Sequence, residues 1–303
     1  MEIHTEFREI KNLSVASGFF DGVHIAHKKV ILKAVEFAHE NCLNSAVITF
    51  KTPPSEYFNN TSAKTILTLN DRLNFIKKLG VDYAFVIDFK DIAGMEAYDY
   101  IKNIIVKNLS PKAIVTGFNH SFGFNKSGNG VLLKALEKEF GFKYFEIMPE
   151  KLDGEVISST AIKKYLSEGN VEQANKMLGK KFFIKNKVVR GQQIGRTIGF
   201  KTANIMYPEN IADLKNGVYG ASVICRGSIY KGILNLGVKP TVTSSNKRIL
   251  EVNIFDFNND IYGEDIIIEF EQKIRDEKKF SSIEELKFQI EKDVNYWRKV
   301  NNA

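Results

Sequence analysis

The spacing of hydrophobic residues differs between the two halves of this chain of 303 residues. In the first half, apolar runs of strand length alternate with longer segments whose apolar residues recur at helical spacing. This alternation is typical of βαβ units and predicts a parallel sheet covered on both faces. The predicted strands are 14–20, 45–50, 83–89, 113–118 and 144–148, and the predicted helices are 23–41, 71–79 (capped by Asn70), 96–109 and 131–140.

The second half is organised differently, because strand-like runs follow one another across short turns. Such a succession predicts an antiparallel sheet or a small barrel. Two short helices, 159–167 and 171–178, separate the halves, and Ser282 with Glu285 forms a capping-box pattern before a final helix. We therefore expect two domains, residues 1–179 and 180–303. The strand-like runs are 182–189, 217–225, 228–236, 248–257 and 265–274.

Composition is that of an ordinary globular protein. Hydrophobic residues make up 44% of the chain and charged residues 26%, which excludes a disordered, collagenous or coiled-coil protein. No apolar stretch approaches the roughly 20 residues of a membrane span, and the first residues lack the order of a signal peptide. The two cysteines, Cys42 and Cys225, are too few for a disulfide framework. We therefore expect a cytoplasmic protein without a membrane partner.

The charge balance favours anionic ligands. Lys and Arg number 43 and Asp and Glu 36, a net charge of +7, and the basic residues are spread along the chain. A solvated basic surface is the alternative to phosphate-bearing ligands or nucleic acid. Because the chain carries no aromatic ribonucleoprotein motif, we do not expect nucleic acid as a partner. The expected partners are small molecules, with at most a weak homo-oligomer.

The first group of candidate functional residues follows the first predicted strand. The run GFFDGVHIAH, residues 18–27, contains Gly18, Gly22, His24 and His27. Histidines three apart share one face of a first helical turn, where free amide groups attract phosphate. Two imidazoles there can hydrogen-bond to a triphosphate and stabilise charge on a leaving pyrophosphate. A tight turn with two exposed histidines is the structural alternative, and zinc is not expected because no third ligand has suitable spacing.

This run resembles the G-x-F-D-G-x-H-x-G-H signature of the nucleotidyltransferase superfamily. Over nearly its whole length the chain is similar to the prokaryotic bifunctional riboflavin kinase/FAD synthetase family, whose motifs it carries in the same order. The resemblance implies a nucleotidyltransferase-type parallel α/β sheet followed by a flavokinase-type antiparallel β-barrel with a terminal helix. It also implies that the first half transfers AMP from ATP to FMN, with the catalytic pair His24 and His27 on the ATP phosphates.

Two further segments of the first half match the family. Residues 117–123, GFNHSFG, resemble G-x-[DN]-F-x-F-G, and residues 157–163, ISSTAIK, resemble I-S-S-T-x-[IL]-R. Their alternatives are an ordinary Gly/Asn-rich loop and a plain N-cap. The resemblance assigns nucleotide binding in this half to Gly18, Phe20, Asp21, Gly22, Asn119, Ser158, Ser159, Thr160 and Lys163. It assigns flavin binding to Phe50, Pro54, Phe122 and Lys126.

Several positions of the first half depart from the family pattern. Ala26 replaces a glycine between the histidines, and His120 replaces an aromatic residue. Lys163 replaces an arginine, which keeps the charge but loses the bidentate fork. After the second predicted strand, Lys51 stands in TFKTPP, where the family often has T-F-[DE]-P-H-P. The acid and the histidine of that turn, which lies near the flavin in the family, are absent.

The second half carries a signature of its own. Residues 195–204, GRTIGFKTAN, resemble the G-R-x-[IL]-G-[FY]-P-T-A-N motif of riboflavin kinases, which implies that they bind Mg-ATP. Gly195 and Gly199 would let a loop approach phosphates. Thr202 and Asn204 supply hard oxygens suited to Mg²⁺ carrying a nucleotide. A Gly-rich hairpin is the structural alternative, and Lys201 departs from the family's proline.

Glu251 matches the family's catalytic glutamate. It lies in LEVNIFDF, which resembles E-x-H-[IL]-x-[DN]-F with Asn253 in place of the histidine. A carboxylate can accept the proton of a ribityl hydroxyl as that hydroxyl attacks the γ-phosphorus, while Mg²⁺ neutralises charge on the transferred group. The structural alternative is a solvated glutamate on a strand. Residues 274–280 resemble L-R-x-E-x-x-F, which assigns flavin binding to Arg275 and Phe280, although the charge run also fits a solvated loop.

Three functions remain open at this point. The first is a two-domain enzyme that phosphorylates riboflavin to FMN and adenylylates FMN to FAD, using ATP and Mg²⁺ in both steps. The second is a relative that keeps only one activity, because both halves carry departures. The third is a flavin-binding regulator or RNA-binding relative, against which the retained Asp21, Thr202, Asn204 and Glu251 argue.

Overall fold

The computed structural model describes residues 1–59, 61–190, 200–239 and 247–301. The contacts within the chain divide it into two units, Met1–Ser159 and Thr160–Ala303. Each unit has its own sheet and its own buried apolar residues. Within the described ranges, no helix is both long enough and apolar enough to cross a membrane.

The first unit contains a six-stranded parallel sheet, which confirms the fold predicted from the alternating periods. Its strands are β1 (Glu2–His4), β2 (Leu13–Ser17), β3 (Asn44–Phe50), β4 (Tyr83–Ile87), β5 (Ala113–Gly117) and β6 (Lys143–Ile147). They lie in the order β1-β4-β3-β2-β5-β6, and every neighbouring pair is parallel. The hydrophobic pattern did not predict β1, because three residues are too few to show a period. A small antiparallel pair follows, β7 (Lys151–Leu152) and β8 (Glu155–Val156).

Helices cover the sheet, and their ends follow local signals. Thr68 caps the third helix by accepting the Asp71 N–H at 3.2 Å, so the predicted cap, Asn70, is wrong: the helix begins before it. The predicted helix 96–109 is present, but its middle widens into a π-helical segment, Tyr100–Val106. The helices are α1 (Ile25–Glu40), α2 (Pro54–Asn59), α3 (Leu69–Lys78), α4 (Ala97–Asp99), α5 (Lys107–Leu109) and α6 (Gly130–Phe140).

The second unit contains a closed six-stranded barrel, which settles the choice between a sheet and a barrel. Its strands are β9 (Phe183–Val189), β10 (Ala203–Met206), β11 (Gly217–Cys225), β12 (Ser228–Lys239), β13 (Lys247–Ile254) and β14 (Asp265–Arg275). Every pair is antiparallel, and the short β10 closes the barrel between β9 and β13. The sequence pattern did not reveal β10, because its four residues follow a Gly-rich run.

Two connecting helices, α7 (Ser159–Glu168) and α8 (Val171–Leu178), precede the barrel, and residues 160–178 belong to the same unit as the barrel. The Asn175 side chain donates to the Phe270 carbonyl at 2.8 Å and accepts the Phe182 N–H at 2.6 Å. The junction expected at residue 179 stays a prediction. Hydrogen bonds between residues 95 apart, such as this one, leave no trace in local composition.

The terminal helix α9 (Ile283–Asn301) packs on the barrel as expected. Trp297 is buried against Gly220 of β11, where a side chain would collide with the indole. The predicted capping box is half present. Ser282 Oγ accepts the Glu285 N–H at 3.1 Å, whereas the Glu285 carboxylate accepts the N–H of Ser281 at 3.0 Å.

Candidate active sites

The first candidate site lies at the carboxyl edge of the parallel sheet. The chain forms β2, β3 and β4 in order on one side and then returns to place β5 on the other side of β2. In open α/β sheets, ligands bind at such a switch point, outside the carboxyl ends of the strands. Residues 18–27 follow β2, and residues 117–123 begin at the last residue of β5, so the two motifs flank the switch point.

Loop 18–24 folds into one tight turn that prepares the start of α1. Phe20 has φ +57°, Gly22 has φ +80°, and Asp21–Val23 forms a single 3-10 turn. Asp21 Oδ1 accepts the Ile66 N–H at 2.8 Å, and the Asp21 carbonyl accepts the Ser159 hydroxyl at 2.9 Å. Asp21 and Ser159 therefore shape the loop, and their binding of a nucleotide stays a prediction.

The two histidines stack at the beginning of α1. His24 is the N-cap, and its Nδ1 accepts the His27 N–H at 3.3 Å. The rings lie 3.5 Å apart and 19° from parallel, so they share one face as the spacing predicted. Because an accepting Nδ1 carries no proton, the ring proton of His24 is on Nε2, where it can be donated to a ligand. His24 is only 3% exposed, which argues against the alternative of two exposed histidines.

The loop after β5 contains His120, which departs from the family pattern. His120 stacks on Phe122 with centroids 5.8 Å apart, and burial lowers the pKa of His120 to about 4. The ring is therefore neutral at pH 7 and stacks on an aromatic neighbour. Phe122 also packs against the core of the sheet, while Asn119 and Lys126 are exposed.

An aromatic cluster next to the end of β3 was not predicted from the sequence. Phe89 lies 5.3 Å from Phe50, 5.7 Å from Tyr57 and 5.6 Å from Phe58 between ring centroids. Tyr57 and Phe58 belong to α2, which begins at Pro54, and are 54% and 60% exposed. Exposed, mutually packed rings suit a planar heterocycle. The adjacent Tyr57-Phe58 pair after a double proline was the available signal.

The remaining residues predicted for the first site are divided between the units. Ser158 lies in the first unit, whereas Thr160 and Lys163 lie on α7 in the second. Their assignment to the nucleotide stays a prediction.

The second candidate site is a row of three polar side chains across the barrel. Asn204 of β10 lies directly opposite Glu251 of β13, and Glu251 lies opposite Asn235 of β12. Their neighbours Leu250 and Val252 are buried in the core, so by strand alternation the row is on the other face of the sheet. Side chains directly opposite each other have Cβ atoms about 5 Å apart. The pairing thus brings together two predicted site residues, Asn204 and Glu251.

A pocket of about 250 Å³ is lined by other residues of β10 and β13, the strands that carry Asn204 and Glu251. Val188, Val252 and Ile254 contribute apolar groups to it, and Thr202 lines it two residues before Asn204. The other lining residues are Lys201, Ala203 and the segment 257–262. Such a pocket offers an apolar surface for a flat ring and a polar rim for its edge.

Two departures from the family pattern touch each other at this pocket. The side-chain amide of Asn253 donates to the Lys201 carbonyl at 2.8 Å, and Lys201 Nζ donates to Asn258 Oδ1 at 3.4 Å. Asn253 therefore holds the backbone that leads into Thr202. Gly195 and Gly199, predicted to approach phosphates, lie outside the described residues.

Arg275 has a structural contact that the sequence did not predict. Its Nε donates to Asp293 Oδ2 at 2.8 Å, and its guanidinium lies 5.8 Å from the Phe280 ring. Asp293 is buried on α9 and also accepts from Gln289 Nε2 at 2.7 Å. Arg275 therefore ties β14 to α9, and flavin binding by Arg275 and Phe280 stays a prediction.

Asp293→Asn is expected to destabilise the second unit. The change leaves the Arg275 guanidinium, 22% exposed in its side chain, without its buried counter-charge. Unpairing a buried ion pair lowers the free energy of unfolding by about 2–3 kcal/mol where one partner keeps some solvent contact. Urea denaturation followed by Trp297 fluorescence measures the change, with exposed Glu291→Gln on the same helix as control. An unchanged midpoint for Asp293→Asn would show that the ion pair contributes nothing.

Comparison with known proteins gives a separate family match for each half of the chain. A family model described as FAD synthetase matches residues 7–161, and one described as riboflavin kinase matches residues 178–301. The chain is similar to proteins called bifunctional riboflavin kinase/FMN adenylyltransferase. It is 37% identical to one from Buchnera aphidicola (99% of this chain, 97% of the relative) and 38% identical to one from Bacillus subtilis (92% and 89%).

A solved structure resembles the whole chain. It is a crystal structure from Streptococcus pneumoniae described as a macrolide-efflux protein, 31% identical, with a TM-score of 0.86 over 95% of this chain and 94% of that one. The relatives and both family models cover the two units that carry the stacked histidines and the Asn204–Glu251–Asn235 row. This chain belongs to the bifunctional riboflavin kinase/FMN adenylyltransferase family.

Proposed function

We propose that this protein makes flavin nucleotides in two steps. The second unit phosphorylates riboflavin to FMN with ATP, and the first unit transfers AMP from a second ATP to FMN, giving FAD and pyrophosphate. Family membership over nearly the whole chain supports both steps. The partners are flavins and ATP, and neither a membrane nor a nucleic acid enters the proposal. The unpaired Cys42 and Cys225 suit the cytoplasm as the location.

The observation that carries the kinase step is the row Asn204–Glu251–Asn235. Thr202 lines the pocket and lies two residues before Asn204, which pairs directly opposite Glu251, so a nucleotide held by Thr202 and Asn204 would be close to that carboxylate. The Glu251 carboxylate accepts the proton of the 5′-hydroxyl of riboflavin as the hydroxyl oxygen attacks the γ-phosphorus. The bond from that phosphorus to the β,γ-bridging oxygen breaks, and ADP leaves.

The side chains of Thr202 and Asn204 suit Mg²⁺ bound to the nucleotide. Thr202 offers a hydroxyl oxygen and Asn204 an amide oxygen, both hard ligands, and Mg²⁺ takes few protein ligands alongside substrate phosphates. When bound, the ion neutralises charge on the transferred phosphoryl group. Asn253 holds the Lys201 carbonyl and so fixes the approach of Thr202.

The observation that carries the adenylyl step is the stacked pair of imidazoles at the N-terminus of α1. A phosphate oxygen of FMN attacks the α-phosphorus of ATP, and the bond to pyrophosphate breaks. His24 Nε2 donates a hydrogen bond to the departing phosphates, where negative charge develops. The N-terminal amide groups of α1 contribute in the same direction. The exposed rings of Tyr57 and Phe58 give the isoalloxazine a surface on which to stack.

Chromatographic separation of flavins tests the proposal. Purified protein is incubated with ATP and Mg²⁺ and with riboflavin or FMN in separate reactions. We expect FMN and FAD from riboflavin, and FAD from FMN. FAD from FMN with nothing from riboflavin would limit the function to the adenylyltransferase, and FMN without FAD would limit it to the kinase. No product from either substrate would contradict both steps and favour a flavin-binding regulator.

Asn253→Leu is expected to weaken ATP binding in the kinase step alone. Losing one hydrogen bond of about 1 kcal/mol raises KM for ATP about fivefold, with kcat changed less than about twofold, because the backbone before Thr202 is no longer held. Initial rates of FMN formation against ATP concentration measure the effect. Lys201→Met is the matched control, because it changes the side chain of Lys201 but keeps the backbone carbonyl that accepts this hydrogen bond. An unchanged KM for Asn253→Leu would show that this contact does not position the nucleotide.

A further inference from the structure

Arg72 is a buried cation below the first candidate site. It lies in the first turns of α3, is 2% exposed, and is among the largest fully buried side chains of the described part of the chain. Burial lowers the pKa of its guanidinium to about 10, and the nearby charge of Asp21 opposes that shift. Arginine is rarely fully buried, because taking its charge out of water is costly. The burial of Arg72 therefore needs a structural or functional explanation.

The contacts of Arg72 join two loops of the site. Its Nη2 donates to the carbonyl of Phe50, the last residue of β3. Its guanidinium lies 4.1 Å from the ring centroid of Phe19, in the loop after β2. The Thr49 hydroxyl donates to the Phe19 carbonyl at 2.9 Å, so β3 holds the same residue from a second side.

The position of Arg72 also affects the charges of the site. Asp21, whose charge acts on Arg72, lies three residues before His24 and holds the Ile66 N–H. The Nε of Arg72 is buried and makes no hydrogen bond to any residue in the described ranges. The guanidinium thus keeps one N–H without an acceptor among the described residues, and the nearby Asp21 carboxylate favours its charged form.

We propose that Arg72 is a positioning residue for AMP transfer, which holds the end of β3 and the loop before His24 in the arrangement that reaction requires. It touches neither substrate, since it is covered by the loops that would bind them. The proposal rests on the adenylyltransferase half of the proposed function. Small misplacements of reacting groups lower rates steeply, so kcat is the quantity that this residue controls.

Two substitutions and one control test the proposal in the full chain. In Arg72→Met, kcat for FAD formation from FMN is expected to fall about 100-fold, with KM for ATP and FMN within about threefold. Arg72→Lys keeps the charge but lacks the fork that contacts both loops, so a loss of about tenfold is expected. Lys77→Met on the exposed side of α3 is the control and leaves kcat unchanged. FMN formation from riboflavin is unchanged in all three.

A binding measurement separates positioning from simple loss of folding. Titration calorimetry with α,β-methylene-ATP, which cannot transfer AMP, is expected to count two nucleotide sites per chain in each variant. If the fall in kcat is accounted for by the fall in the number of nucleotide sites that calorimetry counts, Arg72 is structural and the proposal is overturned. A variant that keeps both sites and the wild-type kcat also overturns it. If Arg72→Met does not fold, Arg72→Lys decides by the same criteria, and a wild-type protein that forms no FAD would contradict the proposed function instead.

Discussion

Glu251→Gln is expected to lower kcat for FMN formation from riboflavin by about 1,000-fold, since general-base catalysis contributes on the order of 100- to 10,000-fold. The amide has the size of the carboxylate but cannot take the proton of the attacking hydroxyl. Glu251 lies between Asn204 and Asn235 in the row, so the substitution leaves the backbone pairing intact. KM for ATP is expected to stay within about threefold.

The control for this prediction is Glu269→Gln. Glu269 is a half-buried carboxylate on β14 that pairs with Lys181 at 3.7 Å, and we expect FMN formation by this variant at the wild-type rate. FAD formation from FMN by Glu251→Gln should also be unchanged, because that step belongs to the other unit. Wild-type kcat for FMN formation by Glu251→Gln would exclude Glu251 as the base and leave it a polar residue of the row.

His24→Asn is expected to lower kcat for FAD formation from FMN by about 100- to 1,000-fold. The asparagine oxygen can still accept the His27 N–H and cap α1, because asparagine is a strong N-cap residue. The substitution removes the Nε2 donor, and losing one donor to developing charge has an effect of this size. The start of the helix is kept, so the change tests the donor rather than the fold.

The matched control is His39→Asn, at the exposed end of the same helix. It is expected to leave both reactions unchanged, and His24→Asn is expected to leave FMN formation from riboflavin unchanged. Circular dichroism checks that α1 and the rest of the protein keep their structure. A folded His24→Asn with wild-type FAD formation would contradict the role of His24 on the phosphates.

The fold class of both units could be predicted from local sequence. Segments with a hydrophobic period of 3.6 residues, placed between apolar runs, predict helices packed on a parallel sheet. The ends of β3 and β5 agree with the prediction to within one residue. The turn and stacked histidines of residues 18–27 were predictable for the same reason, since capping and spacing act over a few residues. The Asn70 cap failed because Thr68, two residues earlier, accepts the N–H instead.

Other parts of the sites depend on contacts between distant segments. The short β10 becomes a strand because it pairs with β9 and β13, and only that pairing places Asn204 opposite Glu251. His120 could be identified as a departure, but its stacking on Phe122 and its lowered pKa arise from burial. The Asn253 contact with the Lys201 carbonyl likewise joins residues 52 apart.

The amino-acid sequence by itself determined the two units, the motif loops and the chemistry they carry, because periodicity, capping and motif spacing are local properties. The tertiary structure alone decided which residues support those loops. Phe19 and Phe50 are far from Arg72 in the chain, and an arginine in a predicted helix is ordinarily solvated. Its burial follows from the packing of α3 against the strand ends, where desolvation and long-range contacts determine what each side chain does.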